Sequence, residues 1–287
     1  MHRADDVLGE RRRLPRHADE RGRRKRAHHI RQADARSGHG PAAHDVGIPR
    51  DLHLVARQAR ARELMHTAGL DAIVVAEGTS LTYFTGAKWW GSERLFALVL
   101  PARGAAFIVC PAFEEARARE QVQVAKDAGE LDVRTWQEDQ NPYDLLAQGL
   151  RDRGIATGRV GLEENVRFVF ADGIARSAPG LHLQSATPVT AGCRMVKSEH
   201  EIALMRLASE VTLAAYEATW KALKIGMTGS EITSLSRQAH EALGFEGAAD
   251  LVLIGAASSF PHGSVKPTRL EEGTIVLFDG GCNVADR

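Results

Sequence analysis

From Asp51 onward, short apolar runs alternate with longer stretches of helical period. Leu52, Val55, Ala59, Leu64 and Met65 set an approximate helical stripe, which Ala68 and Gly69 end. Residues 71–76 read as a buried strand, and 78–86 as a loop and turn. Strands are predicted over 95–101 and 105–110, on either side of the hairpin signal Ala102-Arg103-Gly104. A helix over 112–126 and a strand over 132–136 follow, then a helix over 142–154 and a strand over 159–163. The series closes with a helix over 168–177, a strand over 181–186 and a connector over 188–194. Such alternation indicates an α/β domain around a central sheet.

The pattern then changes. Ser198 with Glu201 three residues on is a capping-box signature for a long helix reaching about Leu223. Ile202, Met205, Ala208, Val211, Leu213 and Tyr216 lie on or near its apolar face. Gly226 ends it, Thr228 or Ser230 caps a second helix over 231–243, and strands are predicted over 251–254 and 275–278. A loop over 255–266 lies between those strands.

Composition narrows the class. Hydrophobic content of 44% and charged content of 26% are those of a soluble globular chain, and 287 residues suffice for two domains. The net charge of zero gives no overall attraction to nucleic acid or to an anionic membrane. No apolar run is long enough to span a bilayer, and no signal peptide is visible, so a cytoplasmic location is expected. Cys110, Cys193 and Cys282 are widely separated and make neither a zinc spacing nor a disulfide framework.

Residues 1–50 stand apart, crowded with Arg and His and without apolar periodicity. They read as a solvated disordered tail, as a basic arm for nucleic acid, or as a mis-assigned start in GC-rich DNA. The expected organisation is a tail over 1–50, an α/β domain over 51–190 and a second domain over 195–287.

Two residues carry candidate chemistry. Asp279 follows the apolar run 275–278 and precedes Gly280-Gly281. An aspartate there commonly caps a turn; equally, a carboxylate is a hard oxygen donor suited to a divalent ion. His262, in Phe260-Pro261-His262-Gly263, either bonds a loop carbonyl or serves as an acid/base near neutral pH. Tyr83, Trp89 and Trp90 are read as packing residues or as neighbours of a site, and Glu163 with Glu164 makes no credible catalytic pair.

Three pieces resemble the creatinase/prolidase amino-terminal domain: Leu70-Asp71-Ala72-Ile73-Val74-Val75, Leu81-Thr82-Tyr83-Phe84-Thr85-Gly86, and Glu93-Arg94 ahead of the hairpin. Arg194, Lys197, Ser198 and Glu201, then the Pro-His-Gly loop and the Asp279 strand, resemble the start of the catalytic domain of the pita-bread (M24) metallopeptidases. That family includes Xaa-Pro aminopeptidase, prolidase, methionine aminopeptidase and creatinase. The resemblance implies a mixed-sheet amino-terminal domain followed by an incomplete α+β pita-bread domain. It implies hydrolysis of the bond before proline in proline-containing peptides, two divalent ions (Mn, Zn or Co), and a homodimer with neither nucleic acid nor membrane as partner.

Carried over by position, Asp279 aligns with a metal ligand and His262 with the histidine that contacts substrate. The family's second aspartate falls past Arg287, and its later histidine and glutamates are absent. The chain itself is therefore expected to hold no metal and to be an inactive fragment. Two rivals remain: a creatinase-like, metal-independent C–N hydrolase, and a non-catalytic binding or dimerisation module.

Overall fold

A computed structural model describes residues 50–122, 131–245 and 247–284. The segment expected to be a tail over 1–50 lies outside them, except for Arg50, which opens the first helix. The first elements are α1 (Arg50–Ala68), β1 (Ala72–Ala76), α2 (Thr79–Thr85), β2 (Ala97–Pro101) and β3 (Phe107–Pro111). A 3-10 turn (Ala112–Glu114) leads to α3 (Glu115–Val122), β4 (Asp132–Trp136), α4 (Pro142–Arg151) and β5 (Gly158–Leu162). Then come α5 (Phe168–Ser177), β6 (Leu181–Ser185), α6 (Thr187–Met195) and α7 (Glu199–Ala222). Last are α8 (Gly229–Ala242), β7 (Ala249–Ile254), a 3-10 turn (Gly255–Ser259) and β8 (Val276–Gly281). The chain divides into two compact units within α7, the first reaching Glu210 and the second covering Val211–Cys282.

The first unit is built on a six-stranded sheet in the order β4-β3-β2-β1-β5-β6. It is mixed: β1–β2 and β2–β3 are antiparallel, and β1–β5, β3–β4 and β5–β6 are parallel. Every residue of β1, β2 and β3 is buried, so these strands read as unbroken apolar runs rather than alternating ones. Ile73, Val75, Leu98 and Ile108 pack on one face with Ala61 and Met65 of α1, Phe84 of α2 and Val189 of α6. Val74, Val99, Phe107 and Val160 pack on the other with Leu146 of α4 and Phe170 and Ile174 of α5. Each such fully buried side chain contributes about 1.5–3 kcal/mol of transfer free energy.

Several local expectations are corrected. The segment expected as a loop over 78–86 forms a helix, α2, because Leu81 and Phe84 bury on the same side and Gly86 closes the end at φ 74°. The connector expected over 188–194 is α6: Pro188 sits in its first turn, and Val189, Thr190 and Cys193 are buried. In α1 the buried stripe is Leu54, Gln58, Ala61 and Met65, while Val55 and Ala59 face outward. Gln58 is drawn inside because its amide donates to the Phe84 carbonyl at 2.9 Å. The helix expected over 112–126 opens with the 3-10 turn and is described as far as Val122.

In the second unit α8 packs on β7, and β7 pairs with β8 antiparallel, Val252 opposite Phe278 and Leu251 opposite Asp279. Ile232, Val252, Ile254 and Leu270 form its core, with Leu223, Met227, Val276 and Phe278 against it. Of the two caps expected for the second helix, Thr228 serves, and Glu231 returns the bond to complete a capping box. In α7 the buried residues are Val211, Ala215 and Thr219; Ile202, Met205 and Leu213, expected on the apolar face, are exposed. Tyr216 of α7 packs against Phe278 at 4.8 Å between ring centroids.

Candidate functional site

Asp279 is not at the end of its strand, as the sequence suggests, but within β8, two residues before Gly281. Side chains directly opposite one another in an antiparallel pair project to the same face. Asp279 is opposite Leu251 and Leu277 opposite Leu253, so these four share one face of the pair. Val252, Ile254, Val276 and Phe278 share the other, where the core of the unit lies. Asp279 thus stands exposed on the face that α8 does not cover.

The loop carrying His262 returns to that same face. Ser258 and Ser259 hold the 3-10 turn through hydroxyl bonds to the Gly255 and Ala256 carbonyls, at 2.7 and 2.8 Å. Phe260 to Gly263 then closes a tight turn, the Gly263 N–H donating to the Phe260 carbonyl at 3.0 Å. Gly263 has φ 85°, and a Cβ on it would lie 3.3 Å from Leu253 Cδ2 and 3.5 Å from Leu251 Cδ1. The positive φ favours glycine there, and the turn lies in contact with the strand. His262, one residue before this contact, is exposed. Asp279 and the Pro261-His262-Gly263 turn are therefore associated with one face of β7–β8, a proximity that their separation in sequence does not reveal.

Behind the strands lies a polar group that sequence reasoning missed. Asp250 accepts hydrogen bonds from Tyr216 Oη at 2.7 Å and from Ser236 Oγ at 2.5 Å, which ties β7 to both α7 and α8. Burial first, and then the Asp250 bond and charge, hold the Tyr216 phenol well above its usual pKa; Asp279 adds to the shift. Tyr216 therefore stays neutral and donates. His240, fully buried, has Nδ1 2.9 Å from the Ser236 carbonyl, which fixes Nδ1 as the donor, and its Nε2 has no hydrogen-bond partner. These residues come from three elements, so no spacing in the sequence announces them.

The other residues singled out in the sequence lie in the first unit. Glu163 is buried, and desolvation raises its pKa against the opposing bond from Ser80. Glu164 accepts from Thr190 Oγ1 at 3.0 Å and from Thr187 Oγ1 at 3.4 Å. Tyr83 donates to the Cys193 carbonyl and carries the Arg57 guanidinium over its ring at 4.1 Å. Trp89 is buried, stacked on Phe96 at 3.8 Å, whereas Trp90 is 82% exposed. Burial pushes the Cys110 thiol up to about 12 and the Cys193 thiol up to about 11, which leaves both inert at neutral pH.

Among the described residues no group of three or more His, Cys, Asp and Glu side chains is arranged to hold an ion. Of the positions that the family resemblance assigns to metal ligands, Asp279 lies among the described residues, and a carboxylate is a hard oxygen donor suited to a divalent ion. Among the described residues no helix is long and apolar enough to cross a membrane.

Residues 57–196 match the model of the creatinase/prolidase N-terminal domain, and residues 203–286 match that of metallopeptidase family M24. A protein of Mycobacterium tuberculosis named "Probable dipeptidase PepE" is 30% identical over 247 residues, covering 80% of this chain and 60% of its own length. The crystal structure of dipeptidase PepE from Mycobacterium ulcerans superposes with a TM-score of 0.73 at 29% identity, covering 83% of this chain and 62% of that one. A prolidase from Thermococcus sibiricus shares the fold, with a TM-score of 0.68 at 21% identity, covering 80% of this chain and 61% of that one. The chain spans between 51% and 61% of the length of three curated relatives.

Proposed function

For a chain that belongs to metallopeptidase family M24 and carries a creatinase/prolidase N-terminal domain, we propose a part in metal-dependent hydrolysis of short peptides at the bond before proline. The observation that carries this reading is the shared face of β7–β8, where Asp279 and the Pro261-His262-Gly263 turn both lie. Similarity to dipeptidases named PepE favours a dipeptide as substrate.

Two divalent ions, Mn, Zn or Co, would supply an activated water and stabilise charge on the amide oxygen. Asp279 is the described residue that would supply a carboxylate ligand to them. His262, exposed on its turn, is assigned to the substrate, as a hydrogen-bond or proton donor to the scissile group. A homodimer is part of the same proposal, checked by sedimentation of the purified chain.

The test is proline release from Xaa-Pro dipeptides, with metal content measured in parallel. The 287-residue chain by itself is expected to bind Mn2+ or Zn2+ no better than its His262→Ala, Asp279→Ala double variant. Joined to the carboxy-terminal remainder of a PepE dipeptidase, it is expected to bind two ions and to release proline. In that fusion Asp279→Ala should abolish metal-dependent turnover, and His262→Ala should lower turnover with metal content unchanged. Loss of metal in His262→Ala would overturn the role given to that residue. Metal-free turnover of creatine-like substrates would favour a creatinase-like hydrolase instead.

A further inference from the structure

We propose that His53 and His200 form a pH-sensitive clasp, which fastens the first turn of α7 to α1 at neutral pH and loosens it in acid. The two rings stack, with centroids 5.3 Å apart and planes 22° from parallel. His53 Nε2 and His200 Nδ1 are both buried without a hydrogen-bond partner. A neutral imidazole has one N–H donor and one acceptor nitrogen, whereas an imidazolium has two donors. Protonation of either ring would therefore add a donor and a charge where the fold provides no acceptor, beside a second titratable ring.

The surroundings deepen this preference for the neutral pair. On α1, one turn beyond His53, the Arg57 guanidinium is held in place, donating to the Tyr83 carbonyl of α2 at 3.1 Å and lying over the Tyr83 ring. On α7, Glu201 is the anion among the described residues that acts on His53, and it is already engaged. It accepts from Arg57 Nη2 at 2.9 Å and from the Ser198 N–H at 2.8 Å, the latter within the helix cap. Tyr83 is neutral, its phenol raised by burial. Burial first, then His200 and Arg57, lower the pKa of His53 against the opposing pull of Glu201.

The sign follows directly. A histidine with a lowered folded-state pKa binds fewer protons folded than unfolded, so stability rises with pH across its titration. The clasp contributes fully above the free histidine value of about 6.5 and is lost as the pH falls below it. What loosens is local: the Ser198–Glu201 cap of α7 shares Glu201 with the Arg57 contact to α1.

Hydrogen exchange of the full chain tests this, read at the amides of residues 197–203 and corrected for intrinsic rates. The range from about pH 7.5 to about pH 5.5 brackets the titration. Wild type is expected to lose protection in that turn, about tenfold for each unit by which the fold holds His53 below free histidine. His53→Phe and His200→Phe keep a flat ring in the stack and remove a charge, and should keep their protection over the same range. An equal loss in wild type and both variants would overturn the proposal. Should the Phe variants fail to fold, the His53 imidazole can be titrated by NMR in wild type and in His200→Gln. Its midpoint should lie below the free value in wild type and rise in the variant; a midpoint at or above the free value overturns the clasp.

Discussion

Gly280 shows how one missing side chain fixes a site. A Cβ on it would stand 2.1 Å from Asp250 Oδ1 and 2.2 Å from the Ala249 carbonyl oxygen. The glycine next to Asp279 is thus what lets the Asp250 carboxylate lie against β8 while it holds Tyr216 and Ser236. Gly280→Ala is expected to destabilise the chain by about 1–3 kcal/mol, the usual cost of overpacking, in a urea titration. Combining it with Asp250→Ala should cost less than the two single changes added together, because that change removes the nearest of the clashing atoms, Asp250 Oδ1. Glu163 gives a second test. Its buried carboxyl has a raised pKa, chiefly from desolvation, so its stabilising contribution is present at low pH and is lost as the pH rises above the unfolded carboxyl value. Glu163→Gln should therefore raise the thermal midpoint near neutral pH relative to wild type, and the gain should vanish at a pH below the carboxyl range. An equal difference at both pH values would count against burial as the cause.

At the scale of elements, caps and buried faces decide what forms. Thr228 Oγ1 accepts from the Glu231 N–H at 3.3 Å, and Glu231 Oε2 accepts from the Thr228 N–H at 2.8 Å. Ser198 and Glu201 repeat the arrangement at α7, with distances of 3.2 and 2.8 Å. Thr228→Ala should cost about 1 kcal/mol, and Ser198→Ala a similar amount, in thermal or chemical unfolding. The two boxes can be read from sequence because the bonds join residues three apart. Helices α2 and α6 are harder to read. Each is short, and each exists because apolar residues at helical spacing, Leu81 with Phe84 and Val189 with Cys193, meet the same sheet face. Isolated helices of that length are marginal in water, so local sequence gives little warning of them.

For the whole molecule, the six-stranded sheet with apolar cores on both faces supports independent folding of the first unit. Residues 51–190 expressed alone are expected to melt in a single cooperative transition. The second unit rests on two strands, and a two-stranded sheet is marginal in isolation with unpaired edges that favour association. Residues 195–287 expressed alone should aggregate or bind a hydrophobic dye. A sharp melt of that segment as a monomer would show that α7 and α8 stabilise the strand pair sufficiently.

The sequence by itself determined the alternation of strands and helices, the hairpin, the capping box at Ser198 and the family resemblance. Each of these depends on residues near one another along the chain or on motifs in a set order. It named Asp279 and His262 as candidates, but as a strand-ending aspartate and a loop histidine. Only the tertiary structure decided that β8 runs on through Asp279, opposite Leu251, and that Gly263 packs on that same face of the pair. Only the structure, too, turned Ile202, Met205 and Leu213 outward and gathered Tyr216, Ser236 and Asp250 behind the strands. The physical reason is the same in each case. Periodicity records that a residue is apolar or polar, whereas strand register and helix rotation, which choose its neighbours, are set by packing between segments far apart in the chain.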